Sequence, residues 1–243
     1  MAIDEALLRN ANSDWPIVLR VYQWERPTLS IGHFQRIEDR ETVPNLRDLP
    51  WVRRKTGGGA IVHDHELTYS ILIPKRDDRP TKGHNELLYR AIHWAVADSL
   101  RALGWNARFS EACKNKTSCT MKTINGKNQE PFLCFLRRTP IDLVVGDDKI
   151  LGSAQRRSAA GLLQHGSFLL RRSQSALELS GLLDASNGSS AEPTNRELDG
   201  WIDFFVASLT QGVSQLFPTR WYNGSLDDLF GDVKEKDVIS IYG

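Results

Sequence analysis

The segment Arg53-Arg54-Lys55-Thr56-Gly57-Gly58-Gly59-Ala60-Ile61-Val62-His63-Asp64 gathers the residues best suited to hold a ligand. Three consecutive glycines are costly in conformational entropy, and close approach of backbone to a bound molecule is one reason to keep them. The arginines beside them can grip an anion. The pattern is not a Walker loop, because no Gly-Lys-Ser/Thr follows at the required spacing, and it is not a dinucleotide Gly-x-Gly-x-x-Gly opening a helix. A glycine bulge flanked by solvated cations explains the same residues without function. Cys134 is a second residue whose type could do chemistry, since a thiolate is a strong nucleophile and a nearby cation would favour it. On its own, a lone cysteine reads as an inert core residue. No catalytic metal is expected: Cys113 and Cys119 have the wrong spacing for zinc, and His63, Asp64 and His65 alternate faces of a strand. His84 and His93 read as a helix start and its surface.

These residues need elements to position them. An amphipathic helix is predicted over 2–10, then strands over 16–24 and 27–32 that suggest a hairpin around Glu25-Arg26. From 51 to 74 the pattern is strand, glycine triplet, strand and a third run ended by Pro74, which reads as sheet core. Leu87, Leu88, Ala91, Ile92, Ala95, Val96, Leu100 and Leu103 repeat at helical spacing, with Gly104 as the stop. Residues 110–130 are polar, carry an Asn125-Gly126 turn signal and suggest a flap. A hairpin over 141–151 turns at Gly146-Asp147-Asp148, with Val145 facing Lys149. The chain must therefore fold back near Pro140 to bring Cys134 to Lys149. A strand over 161–170, a Ser/Gly/Asn-rich linker over 185–191 and a second amphipathic helix over 195–216 follow. Strands cluster in runs with helices between the clusters, which gives α+β rather than alternating βα. No internal repeat is present, and residues 1–243 read as one domain.

Composition narrows the function. With 31 Lys+Arg against 30 Asp+Glu the formal charge is +1, so no broad field for nucleic acid or an anionic membrane is indicated. The most apolar windows are short and interrupted by charge, which predicts no membrane span. Three cysteines are an odd count, unsuited to a disulfide framework, and free thiols fit a reducing, cytoplasmic setting. The doublets Arg53-Arg54, Arg137-Arg138, Arg156-Arg157 and Arg171-Arg172 either steer an acidic partner or are scattered solvated cations.

In order along the chain, several motifs resemble the lipoate-protein ligase and octanoyltransferase family. They are Met1-Ala2-Ile3-Asp4-Glu5-Ala6-Leu7-Leu8, Pro27-Thr28-Leu29-Ser30-Ile31-Gly32, the glycine segment with Glu66-Leu67-Thr68-Tyr69-Ser70, Lys149-Ile150-Leu151-Gly152-Ser153-Ala154-Gln155-Arg156 and Leu163-Gln164-His165-Gly166-Ser167. The resemblance covers roughly residues 1–217 and implies an α+β fold, a mixed β-sheet flanked by helices, similar to biotin ligases and class II aminoacyl-tRNA synthetases. It implies that Lys149 contacts the acyl carbonyl. It also implies a substrate-binding set of Arg54, Thr56, Gly57, Gly58, Gly59, Ala60, His63, Gly152, Ser153, His165 and Ser167.

The family holds two chemistries. Cys134-Phe135 sits where the cysteine octanoyltransferase branch carries its nucleophile, and the tail after Leu216 is too short for the accessory domain of many ligases. Both features favour transfer from octanoyl acyl carrier protein, through a Cys134 acyl-enzyme, to a lysine of a lipoyl-accepting domain such as glycine cleavage H protein or a 2-oxoacid dehydrogenase E2. No cofactor is then needed. In that reading backbone donors at Gly152 or Ser153 are expected to stabilise the oxyanion. Gly59, by completing the triplet, resembles the ligase form and keeps open an ATP- and Mg-dependent lipoate-protein ligase with Cys134 structural. A non-catalytic protein that docks acyl-carrier or lipoyl domains is the alternative from another class. The family normally has a strand ahead of the first helix, so a missing N-terminal segment is expected.

Overall fold

Periods of two and of 3.6 in the apolar residues become strands and helices much where they occur. The structure, a computed structural model, describes residues 1–76, 84–110, 122–124, 127–184, 195–217, 219–224 and 238–242. In chain order these form α1 (Ala2–Asn10), β1 (Val18–Tyr22), β2 (Thr28–Ile31), β3 (Trp51–Arg53), β4 (Ile61–His63), β5 (Glu66–Pro74) and α2 (His84–Ala102). Then come β6 (Ala107–Phe109), β7 (Lys122–Ile124), β8 (Lys127–Gln129), β9 (Leu143–Val145), β10 (Asp148–Arg157), β11 (Gly161–Leu169), α3 (Asn195–Leu216), β12 (Trp221–Asn223) and β13 (Val238–Tyr242).

Eight strands make the main sheet in the order β12-β13-β1-β5-β11-β10-β9-β6, which is mixed because β13 runs parallel to both β12 and β1. Every residue of β5 and β11 is buried, so these two central strands are covered on both faces. On one face Ile71 and Ile73 meet Leu88, Ile92 and Val96 of α2 and Phe205, Leu209 and Val213 of α3. The intervening Leu72 points the other way, to Leu7 and Leu8 of α1. A second, three-stranded sheet, β3-β2-β4, has its own core of Leu29, Ile31, Leu46, Val62, Leu133 and Phe135. Among the described residues β7 and β8 pair only with each other.

The expected hairpin between the first two strands does not form. β1 pairs with β5 and β13 in the main sheet, whereas β2 pairs with β3 and β4 in the small one. A tight hairpin wants φ > 0 at its turn, and Glu25-Arg26-Pro27 offers neither Gly nor Asn. The later hairpin does form, with Gly146 at φ +59, although Lys149 faces Val144 and Asp148 faces Val145. Gly104, at φ +88, closes α2 as expected. His93 is fully buried rather than on the helix surface. The flap residues 111–121 with Cys113 and Cys119, the Asn125-Gly126 turn and the linker 185–191 lie outside the described residues.

Candidate active site

The loop between β3 and β4 is a cradle held by arginine. Gly58 sits at φ +91, a conformation that L side chains rarely adopt. A Cβ on Gly32 would come within 2.0 Å of the Gly58 carbonyl oxygen, so the two glycines are what let the loops touch. Arg54 is buried and donates from Nη1 to Ser30 O at 2.8 Å and Ser30 Oγ at 2.7 Å, and from Nη2 to Gly59 O at 2.6 Å. Burial pushes its pKa down to about 10, which leaves it charged at neutral pH. Arg53 Nη1 donates to the carbonyls of Gly32 (3.3 Å), His33 (3.3 Å) and Gln35 (2.6 Å). The arginines expected to grip an anion therefore spend these donors on the loops themselves, and Arg54 Nε is buried without a partner among the described residues.

Cys134 opens a short 3-10 turn, Cys134–Leu136, stitched to the cradle by backbone. Ala60 N–H donates to Phe132 O at 2.9 Å and Cys134 N–H donates to Ala60 O at 2.7 Å. Gly59 is required here, because a Cβ on it would lie 2.8 Å from Cys134 N and 2.9 Å from its Cα. The turn at Thr139 to Asp142 brings the chain back, and Lys149 of β10 arrives with Nζ 4.0 Å from Cys134 Sγ. That ammonium also pairs with Asp142 Oδ2 at 2.9 Å and donates to Arg137 O at 3.3 Å and Cys134 O at 3.5 Å. Gly152 makes room for it: a Cβ there would meet Lys149 Cε at 2.6 Å.

Arg54, Gly57, Gly58, His63, Cys134, Gly152, Ser153 and His165 border one cavity of about 40 Å³. Gly59, Ala60, Lys149 and Ser167 do not line it, and Thr56 lines instead, with Arg54 and His165, a larger cavity of about 420 Å³. Thr56 Oγ1 hydrogen-bonds His165 Nε2 at 2.6 Å. Burial, then the Arg54 charge, pushes His165 down to about 3, so its ring is neutral. His63 bonds Ser30 Oγ through Nε2 at 2.6 Å and Glu66 Oε1 through Nδ1 at 2.9 Å; burial lowers its pKa against the pull of Glu66. Ser167 donates to the other Glu66 oxygen at 2.5 Å, away from the cavity. Among the described residues no three His, Cys, Asp or Glu side chains converge to hold a metal.

Sequence reasoning missed the layer beneath the cavity. Tyr89 and His93, one helical turn apart on α2, reach Ser153: Ser153 N–H donates to Tyr89 OH at 3.1 Å, and His93 Nε2 bonds Ser153 Oγ at 2.8 Å. The Ser153 amide, one of the two backbone donors expected at an oxyanion with Gly152, is therefore already engaged in this structure, as is that of Cys134. The available signal for Asp142 was a single acid inside the apolar run Ile141-Asp142-Leu143-Val144-Val145.

A mixed sheet flanked by helices, with a glycine cradle facing the lysine-bearing strand, defines a lipoate-ligase-like catalytic domain. Among solved structures, the chain superposes on lipoate-protein ligase A bound with ATP at a TM-score of 0.57, with 24% identity over 88% of this chain and 78% of that one. A bi-partite lipoate protein ligase from Thermoplasma acidophilum gives 0.53, with 20% identity over 88% of this chain and 76% of that one. At such identities the likeness shows the fold. The chain belongs to the lipoyl protein ligase A/B catalytic domain family, which residues 1–215 match. It is 38% identical to octanoyltransferase LipM of Bacillus cereus over 173 residues, 70% of this chain and 60% of that protein. It is 36% identical to octanoyltransferase LipM of Lysinibacillus sphaericus over 204 residues, 81% of this chain and 68% of that protein. The chain thus spans about 60% of the length of the Bacillus cereus relative.

Among the described residues no helix is long and apolar enough to cross a membrane.

Proposed function

We propose that this chain is an octanoyltransferase of the cytoplasm in which Cys134 carries the acyl group. The observation that carries the reading is that Cys134 borders the cavity and has the Lys149 ammonium 4.0 Å from its Sγ. The names of the relatives support octanoyl transfer. In the first half-reaction the Cys134 thiolate adds to the carbonyl of an octanoyl thioester on acyl carrier protein, and the intermediate collapses with loss of the carrier thiolate, which takes up the proton. In the second, the amine of a lysine on a lipoyl-accepting domain, a glycine cleavage H protein or 2-oxoacid dehydrogenase E2, attacks the Cys134 thioester. An amide forms, and the amine proton leaves with the restored thiol. Ping-pong kinetics follow. Lys149 supplies positive charge beside the sulfur and the developing oxyanion. The cavity of about 40 Å³ that Cys134 borders shares Met1, Arg54 and His165 with a larger one of about 420 Å³, which offers room for an acyl chain next to the thiol. The reaction as written needs no cofactor.

The test is intact-protein mass spectrometry after incubation with octanoyl carrier protein, and separately with lipoate plus ATP and Mg. The wild type should gain one octanoyl group from the carrier without ATP, and Cys134→Ala should gain none. An adduct that persists in Cys134→Ala would overturn the nucleophile. Acceptor modification that needs ATP and ignores Cys134→Ala would make the chain a ligase, the reading that Gly59 keeps open. Binding of acylated carrier with no turnover would make it a docking protein.

A further inference from the structure

The carboxylate of Asp142 has no part in the chemistry written above, yet it is buried beside the proposed site. Its side chain is 1% exposed, and that of Lys149 is 3%. Burying two charges costs several kcal/mol per ion before pairing, and an apolar pair of similar volume is often as stable. The arrangement is nonetheless complete. Asp142 Oδ2 takes the Lys149 ammonium at 2.9 Å and Thr139 N–H at 2.7 Å, while Oδ1 takes the Tyr89 hydroxyl at 3.1 Å. Tyr89 in turn accepts from Ser153 N–H, and Ser153 borders the cavity. His93 closes the ring from behind, bonding Ile141 O at 2.7 Å and Ser153 Oγ at 2.8 Å. Asp142 therefore ties together three things that have to keep their places: the lysine, the turn that presents the thiol, and the cavity floor.

We propose that Asp142 is a positioning residue that holds the Lys149 ammonium against the Cys134 turn and offsets its charge beside the sulfur. The catalytic meaning of this rests on the acyl-enzyme reading above, whereas the control of Cys134 reactivity does not. Held this way, Lys149 directs its donors to Asp142, Arg137 O and Cys134 O, and so braces the turn from below. Without the carboxylate the long side chain regains its rotamers, and the ammonium near Sγ loses its counter-charge.

Two readouts on the full chain test this, each with Asp142→Asn, Asp142→Glu, Lys149→Ala and the Asp142→Asn/Lys149→Ala pair. The first is the rate of octanoyl-enzyme formation from octanoyl carrier protein. Asp142→Asn, which conserves volume, should slow it by about 10- to 100-fold, the scale of a misplaced reacting group. Asp142→Glu should recover part of the rate, and the double variant should be no slower than Lys149→Ala. The second is alkylation of Cys134 by iodoacetamide at fixed pH, followed by peptide mapping, which involves no acyl transfer. Here Asp142→Asn should react several-fold faster than wild type, and the double variant should match Lys149→Ala. Unfolding midpoints of all variants identify any that are not folded, and Asp142→Glu then carries the comparison. Rates for Asp142→Asn within twofold of wild type in alkylation, or effects of the two substitutions that simply multiply, overturn the proposal. If the wild type forms no acyl-enzyme but alkylation follows the stated order, the transferase reading fails and the positioning role stands.

Discussion

Burial governs the histidines at the site. His165 is pushed to about 3, by desolvation first and Arg54 second, and His93 to about 4, by desolvation. Unfolding returns each toward 6.5, so below that pH the unfolded chain binds protons that the folded chain does not. Stability should be level above pH 7 and fall as pH drops from 6.5 to 5, approaching on the order of 1.4 kcal/mol per pH unit for each histidine. Urea titrations across that window measure it, and His93→Gln should shallow the slope; an unchanged slope would contradict the buried-neutral assignment. Gly59→Ala should cost about 1–3 kcal/mol by overpacking against Cys134 and should slow acyl-enzyme formation as well. Cys134 and Lys149 stand out in the sequence through the family motifs they sit in, since a lone cysteine by itself reads as an inert core residue. Asp142, Tyr89 and His93 do not, since what matters in them is hydrogen-bond partners brought together from distant parts of the chain. His93 in particular flanks the Leu88-Ile92 stripe, and periodicity alone cannot say whether a flanking position is covered.

At the scale of elements, two loops with glycines in contact form the cradle. Gly32→Ala would drive a methyl into Gly58 O and should displace the β3–β4 loop. The expected outcome is a loss of acyl-enzyme formation larger than the loss of stability, read by donor kinetics beside denaturant titration. The helices were legible from the sequence because their apolar stripes recur over several turns, and α1 and α3 run over the predicted residues 2–10 and 195–216. Strand pairing was less legible. β1 and β2 read as a hairpin, yet they join different sheets, because their pairing depends on partners far along the chain. β13, at residues 238–242, passed unnoticed because a five-residue run carries little period, yet it extends the main sheet beside β1.

Across the molecule, the proposed site lies on a seam between two hydrophobic cores. Cys134 rides on the small-sheet core through Leu133 and Phe135, whereas Lys149 rides on β10, whose Ile150 and Leu151 belong to the main core. A truncation in the small core should therefore disturb the chemistry more than an equal loss elsewhere. Leu133→Ala and Leu209→Ala should each cost about 2–5 kcal/mol, and at a temperature where both remain folded only Leu133→Ala should markedly slow acyl-enzyme formation. Equal rates in the two variants would argue that the seam is not what sets the thiol. The close approach of Gly59 to the Cys134 backbone also reaches beyond a single molecule. A lineage that replaces this glycine with any larger residue must re-lay the turn from 132 to 137 in compensation, so the glycine and the turn are expected to change together.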